Sequence, residues 1–235
     1  MARFARVVAV DTAHHVTQRG NARRLVFETD ADRLVYLEML EASSRAHHLD
    51  VLGFCLMSNH VHLVVTPRQP DSLAVALRHT HGRYAAFLNA RQCASGHVWQ
   101  GRYYSCPLDE AHFWAALRYT ELNPVRAAIV PKPELYRWSS AAVHCGSSAG
   151  ALPLHVETAR WKEAWNGASW RRFLADGEAE SDLATLRATT HTGRPLGSEE
   201  FVRSLERILH RSLAPQKGGR PRNSDGDSAQ SAFVF

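Results

Sequence analysis

From His60 to Thr66 apolar and polar positions alternate. Val61, Leu63 and Val65 fall on one side and His60 and His62 on the other, and this period of two predicts a strand. The apolar run Val51 to Met57 predicts a partner strand, with Ser58-Asn59 as the turn of a hairpin. His14 to Gln18 predicts an earlier strand, followed by the turn-like Arg19-Gly20-Asn21, and Arg102 to Cys106 a later one ended by Pro107. Helical spacing fills the intervals. Asp30 is suited to cap a helix reaching about Ala46, with Leu34, Leu37 and Leu40 inward, and Asp71-Ser72 opens another along Leu73, Leu77, Tyr84 and Leu88. A third helix starts at Asp109 and carries Phe113, Ala116 and Leu117 on one face. It should end near Leu122 or Asn123, because Pro124 disfavours helical geometry in the residue before it. The order β-α-β-β-α-β, then a helix, predicts an α+β chain of ferredoxin-like (RRM-like) topology. Its antiparallel sheet should have helices on one face and an open second face.

Beyond this first domain, expected over residues 1–146, Ser147 to Gly150 reads as a linker. Trp161, Trp165 and Trp170 at helix-like spacing predict one helix, Leu183 to Thr189 a second, and Ser198 to Leu213 a third. The breaker Thr192-Gly193-Arg194-Pro195-Leu196-Gly197 separates the last two. Residues 147–213 are thus expected to form a helical extension, either an accessory DNA-binding unit or an inhibitory one. Residues 214–235 should form a basic tail that is disordered until bound.

Composition narrows the class. The chain has 235 residues, 45% hydrophobic and 22% charged, which is an ordinary globular balance. No apolar stretch approaches the roughly 18 residues that span a bilayer, and the run Val7 to Val10 is too short for a signal peptide. A soluble cytoplasmic protein is expected. The formal net charge is +5, and 25 Arg stand against 3 Lys. Planar guanidinium groups grip phosphate and stack on bases, so this bias suits nucleic acid, although a coding bias toward Arg produces the same count. Cys55, Cys93, Cys106 and Cys145 lack the close spacing of a zinc site or a disulfide framework, and are expected to be reduced.

The sharpest chemical feature is His60-Val61-His62. Residues i and i+2 of a strand share a face, so the two imidazoles can share one metal ion while Val61 faces the core. The next residue on that face is Val64, so any third ligand must come from elsewhere. On the helix from Asp109, His112, Ala115, Tyr119 and Asn123 share a face at helical spacing. Tyr119 is then either a nucleophile with the hard-ligand oxygen of Asn123 one turn away, or a core aromatic with a hydrogen-bonded hydroxyl. Arg102 and Arg126 are candidates to favour the phenolate, or ordinary surface ion pairs. Trp99, Tyr103 and Tyr104 beside Arg102 are stacking platforms for bases, or core residues. In the tail, Gly218-Gly219-Arg220-Pro221-Arg222 reads as a minor-groove hook or a solvated run.

Four segments together carry a resemblance: Thr17 to Asn21, Cys55 to Val65, Trp99 to Tyr103 and Tyr119 to Ala127. In this order and spacing they resemble the single-tyrosine HUH transposases, above all the REP-associated tyrosine transposases (RAYTs), over about residues 3 to 140. The resemblance implies a metal-dependent enzyme that nicks and rejoins single-stranded DNA through a 5′-phosphotyrosine. Its metal, Mg²⁺ or Mn²⁺, would fall to His60, His62 and Asn123, and its nucleophile would be Tyr119. Many relatives read Tyr-His-Val-Thr where this chain has His14-His15-Val16-Thr17, which places two more imidazoles near the site. Hairpin DNA is the implied partner, with Arg19, Trp99, Arg102 and Tyr103 as candidate contacts in the domain. Arg126 is a further candidate there, as are Arg220 and Arg222 in the tail. The implied protein is a monomer or homodimer, cytoplasmic and nucleoid-associated in use. Two other readings remain open: a binding module that grips hairpin DNA or RNA without cutting, and a metal phosphodiesterase that uses water.

Overall fold

In a computed structural model of the chain, residues 6–147, 152–177 and 179–213 are described. The expected linker falls partly outside these residues, and the tail with Arg220 and Arg222 falls wholly outside them.

The first domain runs β1 (His14–Arg19), α1 (Asp30–Ala46), β2 (Leu49–Met57), β3 (His60–Pro67), α2 (Ser72–Arg91), β4 (Tyr104–Pro107) and α3 (Glu110–Arg126). The strands form one sheet in the order β2-β3-β1-β4, with every neighbouring pair antiparallel. This is the ferredoxin-like arrangement that the element order predicts. A short α4 (Ala141–His144) follows, then α5 (Ala159–Ala164), α6 (Gly167–Ala175), α7 (Glu180–Thr192) and α8 (Glu199–Leu209). No helix among the described residues is long and apolar enough to cross a membrane.

One face of the sheet packs as expected. Val16, Phe54, Leu56, Val61, Leu63 and Val65 meet Tyr36, Leu37 and Leu40 of α1 and Leu73, Leu77 and Tyr84 of α2 in one buried cluster. The second face is not open. There α3 lies over β2 and β3, with Phe113, Ala116 and Leu117 packed against Leu52, Val64 and Cys106. Gly53 makes this possible: a Cβ there would sit 2.2 Å from Leu117 Cδ1, so only glycine lets α3 approach the bulged strand so closely. The extension covers more of it, as Trp161, Trp170, Leu174, Leu183 and Leu186 join the same cluster.

A buried carboxylate ties the extension to α3. Glu121 is fully buried and accepts hydrogen bonds from Ser140 Oγ at 2.6 Å, His144 Nδ1 at 2.5 Å and Trp170 Nε1 at 2.8 Å. An unpaired carboxylate in such a place would be costly, and three donors offset that cost.

Several boundaries differ from the sequence expectation for local reasons. Thr29, not Asp30, caps α1, because its hydroxyl accepts from Asp32 N while the Asp32 carboxylate accepts from Thr29 N. Helix α3 runs through Pro124 to Arg126. Proline cannot donate to the Thr120 carbonyl one turn back. The Asn123 side-chain amide donates there instead, at 3.4 Å, and to the Tyr119 carbonyl at 3.1 Å. The single tryptophan helix is two, because Asn166 turns extended and caps α6 by accepting from Ala168 N and Ser169 N. Helix α7 spans more than Leu183 to Thr189 and ends where Gly193 adopts φ 73°. All four cysteines are free thiols.

Candidate active site

The site lies on the second face of the sheet and is built from strand parity. In β3 the odd positions face α1 and α2, so His60, His62 and Val64 face the other way. Across the ladder His62 lies opposite Thr17 and Val64 opposite His15, which brings the His15 ring onto the same face. Rings of His15 and His62 stack with centroids 5.3 Å apart, and His60 meets His62 edge-on at 5.0 Å. Above them α3 sets Tyr119, whose ring makes edge contacts with His62 at 5.4 Å and His15 at 5.7 Å.

Of the two extra imidazoles only His15 reaches the site. His14 points into the N-terminal segment, accepting from Ala9 N at 3.2 Å and bonding the Thr12 carbonyl through Nδ1 at 2.8 Å.

Each strand histidine is oriented through its Nδ1. His60 Nδ1 donates to Asn59 Oδ1 at 2.6 Å, which fixes the tautomer and leaves the lone pair on Nε2. His62 Nδ1 pairs with His15 Nε2 at 3.0 Å, and His15 Nδ1 pairs in turn with Thr190 Oγ1 of α7 at 2.8 Å. Among the described residues no hydrogen bond occupies Nε2 of His60 or His62. Burial pushes His60 down to about 4, helped by the Arg19 charge, and His15 down to about 3, helped by Arg126. Burial also holds His62 well below the usual imidazole value, and its neighbours His60 and His15 add to this. All three are neutral near pH 7, as metal-ligating imidazoles must be.

These donors fit a divalent cation. Two neutral imidazoles each have one ring nitrogen tied by a hydrogen bond and the other unused, which is how metal-binding histidines are usually held. Among the described residues no group of three His, Cys, Asp or Glu is placed to hold a metal, since His15 spends its Nε2 on His62. Asn123, buried one turn beyond Tyr119, spends its NH₂ on backbone carbonyls, so its oxygen is the donor left to offer. Two imidazole nitrogens and an amide oxygen are a mixed donor set open to a divalent cation.

Tyr119 is 6% exposed, so it is both a packed aromatic and a member of the site. The Arg126 guanidinium lies 4.1 Å from its ring centroid and also bonds its carbonyl. Its hydroxyl accepts from Arg187 Nε of α7 at 3.3 Å. Sequence reasoning missed Arg187 and Thr190, which lie 68 and 175 residues from their partners. The one local signal was a threonine pair, Thr189-Thr190, in a helix that neither residue favours. His112, expected beside Tyr119, is held by Asp109 at 2.6 Å instead.

The expected nucleic-acid contacts scatter. Arg19 is exposed at the end of β1, opposite His60. Arg102 is exposed and lines a small cleft with Arg6 and His191. Tyr103 is buried, with the Arg6 guanidinium 3.8 Å from its ring centroid. Trp99 is a core residue: it packs against Tyr84 and His81, and its Nε1 donates to the His81 carbonyl at 2.9 Å. It is 8% exposed, and its backbone bridges to Gly20 at the start of the β1–α1 loop.

Comparison with known proteins bears on the fold of this domain. A solved REP-associated tyrosine transposase, bound to a REP hairpin, superposes with a TM-score of 0.53 at 14% identity, covering 67% of this chain and 93% of that one. A putative transposase from Deinococcus radiodurans matches at 17% identity and a TM-score of 0.35, covering 50% of this chain and 95% of that one. No curated protein matches the chain closely enough to count as a relative. The family model of the IS200-like transposases matches residues 9–123, from the segment before β1 to the amide that follows the tyrosine, so the first domain of this chain is similar to the IS200-like transposases.

Proposed function

We propose that this transposase domain nicks and rejoins single-stranded DNA at hairpin sequences, through a covalent bond between Tyr119 and a 5′ phosphate. The observation that carries the reading is Tyr119 set edge-on against His62, whose Nδ1 is tied and whose Nε2 is unused, with His60 oriented in the same way beside His62. A binding module needs no such pairing of a phenol with oriented, neutral imidazoles.

His60, His62 and Asn123 would hold Mg²⁺ or Mn²⁺, which would polarise the scissile phosphate and neutralise its charge. Tyr119 Oη attacks phosphorus in line. Its proton passes to solvent, the 3′ oxygen leaves and takes up a proton, and the phosphate stays on the tyrosine. Attack by a 3′-OH reverses these steps, and the phosphotyrosine bond conserves the energy for rejoining. Arg126, stacked on the phenol ring, places a fixed positive charge beside the reacting groups. The substrate is single-stranded at the cut, because a paired strand would block the in-line approach. We place the activity in the cytoplasm, where such DNA is accessible. The solved relative bound to a hairpin supports hairpin DNA as the substrate class.

The test is incubation of the full-length protein with a pool of DNA hairpins carrying single-stranded flanks of randomised sequence, with and without Mn²⁺, followed by denaturing electrophoresis. A protein–DNA adduct should form with the metal and vanish in Tyr119→Phe, which removes one oxygen and keeps the ring. Cleavage that persists in the Phe variant without an adduct would establish water as the nucleophile instead.

A further inference from the structure

Helix α7 belongs to the extension, and Arg187 on it lies 68 residues from Tyr119 in sequence, yet it supplies the hydrogen-bond donor to the phenolic oxygen. We infer that Arg187 is a catalytic residue of this transposase, holding and stabilising the Tyr119 oxygen as it becomes the attacking phenolate. The inference rests on the tyrosine-nucleophile reading above.

Two guanidinium groups approach Tyr119 and they do different work. Arg126 comes from the tyrosine's own helix, and its contacts are with the ring face and the backbone carbonyl. Arg187 aims Nε at the oxygen itself, at 3.3 Å, with its central carbon 5.7 Å from the ring centroid. Among the described residues it is the one hydrogen-bond partner of that oxygen. A guanidinium stays protonated at any working pH, so it can only donate. It therefore stabilises the negative charge that develops on that oxygen during attack, keeps its own proton throughout, and leaves the phenolic proton to solvent.

The arginine is positioned by its own helix. Glu180, at the start of α7, pairs with Arg187 Nη1 at 3.2 Å. The Arg187 side chain is about half exposed, so it is within reach of an arriving strand. Helix α7 is also fixed to the sheet independently of Arg187, because Thr190 is buried and holds His15 and Leu183 and Leu186 pack under α3. A chance surface contact has no such frame behind it. The inhibitory alternative for the extension makes the opposite prediction, that removing this contact speeds the reaction.

The experiment compares full-length wild type, Arg187→Gln and Arg187→Lys, using the same hairpin pool with Mn²⁺ and single-turnover adduct formation. Arg187→Gln should slow adduct formation by roughly 10²-fold. Hairpin affinity and melting temperature should hold. Arg187→Lys should restore part of the rate, since the charge returns without the planar donor. A purely structural role would lower the melting temperature, and Arg187→Lys would then give no rescue of the rate. Equal rates in wild type and Arg187→Gln would overturn the assignment of Arg187 alone, and so would a faster variant, which would make α7 a cover. Absence of any adduct from the wild type would overturn the nucleophile reading and this inference with it.

Discussion

The two faces of one four-stranded sheet are built from the same strands and serve different ends. Toward α1 and α2, β3 presents Val61, Leu63 and Val65 to an apolar cluster in which shape and volume decide stability. Toward α3 and α7, the intervening positions present His60 and His62, oriented by Asn59, His15 and Thr190, with Tyr119 set against His62. The period-two strand keeps the chemistry off the packing face with one residue of separation. The two faces also close differently. Helices α1 and α2 come from the strand crossovers, while the second face needs α3 and the later extension to cover it.

The largest contrast should appear between neighbours. Leu63→Ala should cost about 2–5 kcal/mol of stability in urea unfolding and leave the folded fraction able to form the adduct. His62→Gln should abolish metal-dependent adduct formation at a stability cost nearer ~1–3 kcal/mol, because His15 is deprived of its partner. The sequence placed His62 on an open face, where its removal would be free. The structure buries it at 6% exposure, so a modest cost is expected. If the two variants lost stability equally and both lost chemistry, the division of labour between the faces would be wrong.

Next comes the outer hydrogen bond. Thr190→Val keeps the shape and removes the oxygen that holds His15 Nδ1. Mn²⁺ affinity, read by titration calorimetry, should fall roughly tenfold or more, as is usual when the group orienting a metal-binding histidine is removed. Unchanged affinity would detach α7 from the metal side of the site.

On the packing face, His81 sharpens the comparison through pH. It is buried among Tyr36, Trp99 and Tyr103, with Tyr36 Oη 3.1 Å from its Nε2, and burial lowers it to about 3. Between pH 6.5 and about 3 the unfolded chain takes a proton there that the folded chain refuses, so stability falls as pH falls. The slope is about 1.4 kcal/mol per pH unit for one such group. His81→Gln removes the titrating group, and chemical denaturation between about pH 6 and 4 should then show a shallower acid limb. An unchanged slope would mean that His81 is already protonated in the fold.

The smallest effect belongs to the tail. Deleting residues 214–235 removes Lys217, Arg220 and Arg222. If they neutralise phosphates of single-stranded DNA, the slope of log affinity against log salt should become shallower by up to about 2, near 0.7 for each phosphate. Adduct formation at fixed salt and saturating DNA should stay as it was.

The ladder side of this architecture was legible in the sequence because period-two alternation fixes which residues share a face. Tyr119 and Asn123 were legible from helical spacing, even though α3 continues through Pro124, where Asn123 supplies a donor that proline lacks. Trp99 could not be placed from composition, since an indole beside Arg102 looks alike in a core and on a binding surface. Arg187 and Thr190 were invisible for a different reason. Their partners lie on distant elements, and nothing local in α7 says which face meets the sheet. The closure of the second face was missed with them, since it follows from tertiary packing of the tryptophan cluster and Glu121.

The central claim is that Tyr119 on the histidine-lined face is the nucleophile. Proteolysis of the adduct formed with hairpin DNA and Mn²⁺, followed by nuclease trimming and mass spectrometry, tests it most directly. The account predicts a 5′-linked deoxynucleotide on the peptide that contains Tyr119, and a free 3′-OH on the released strand. A nucleotide on any other residue, or cut DNA with a free 5′ phosphate and unmodified protein, would contradict it.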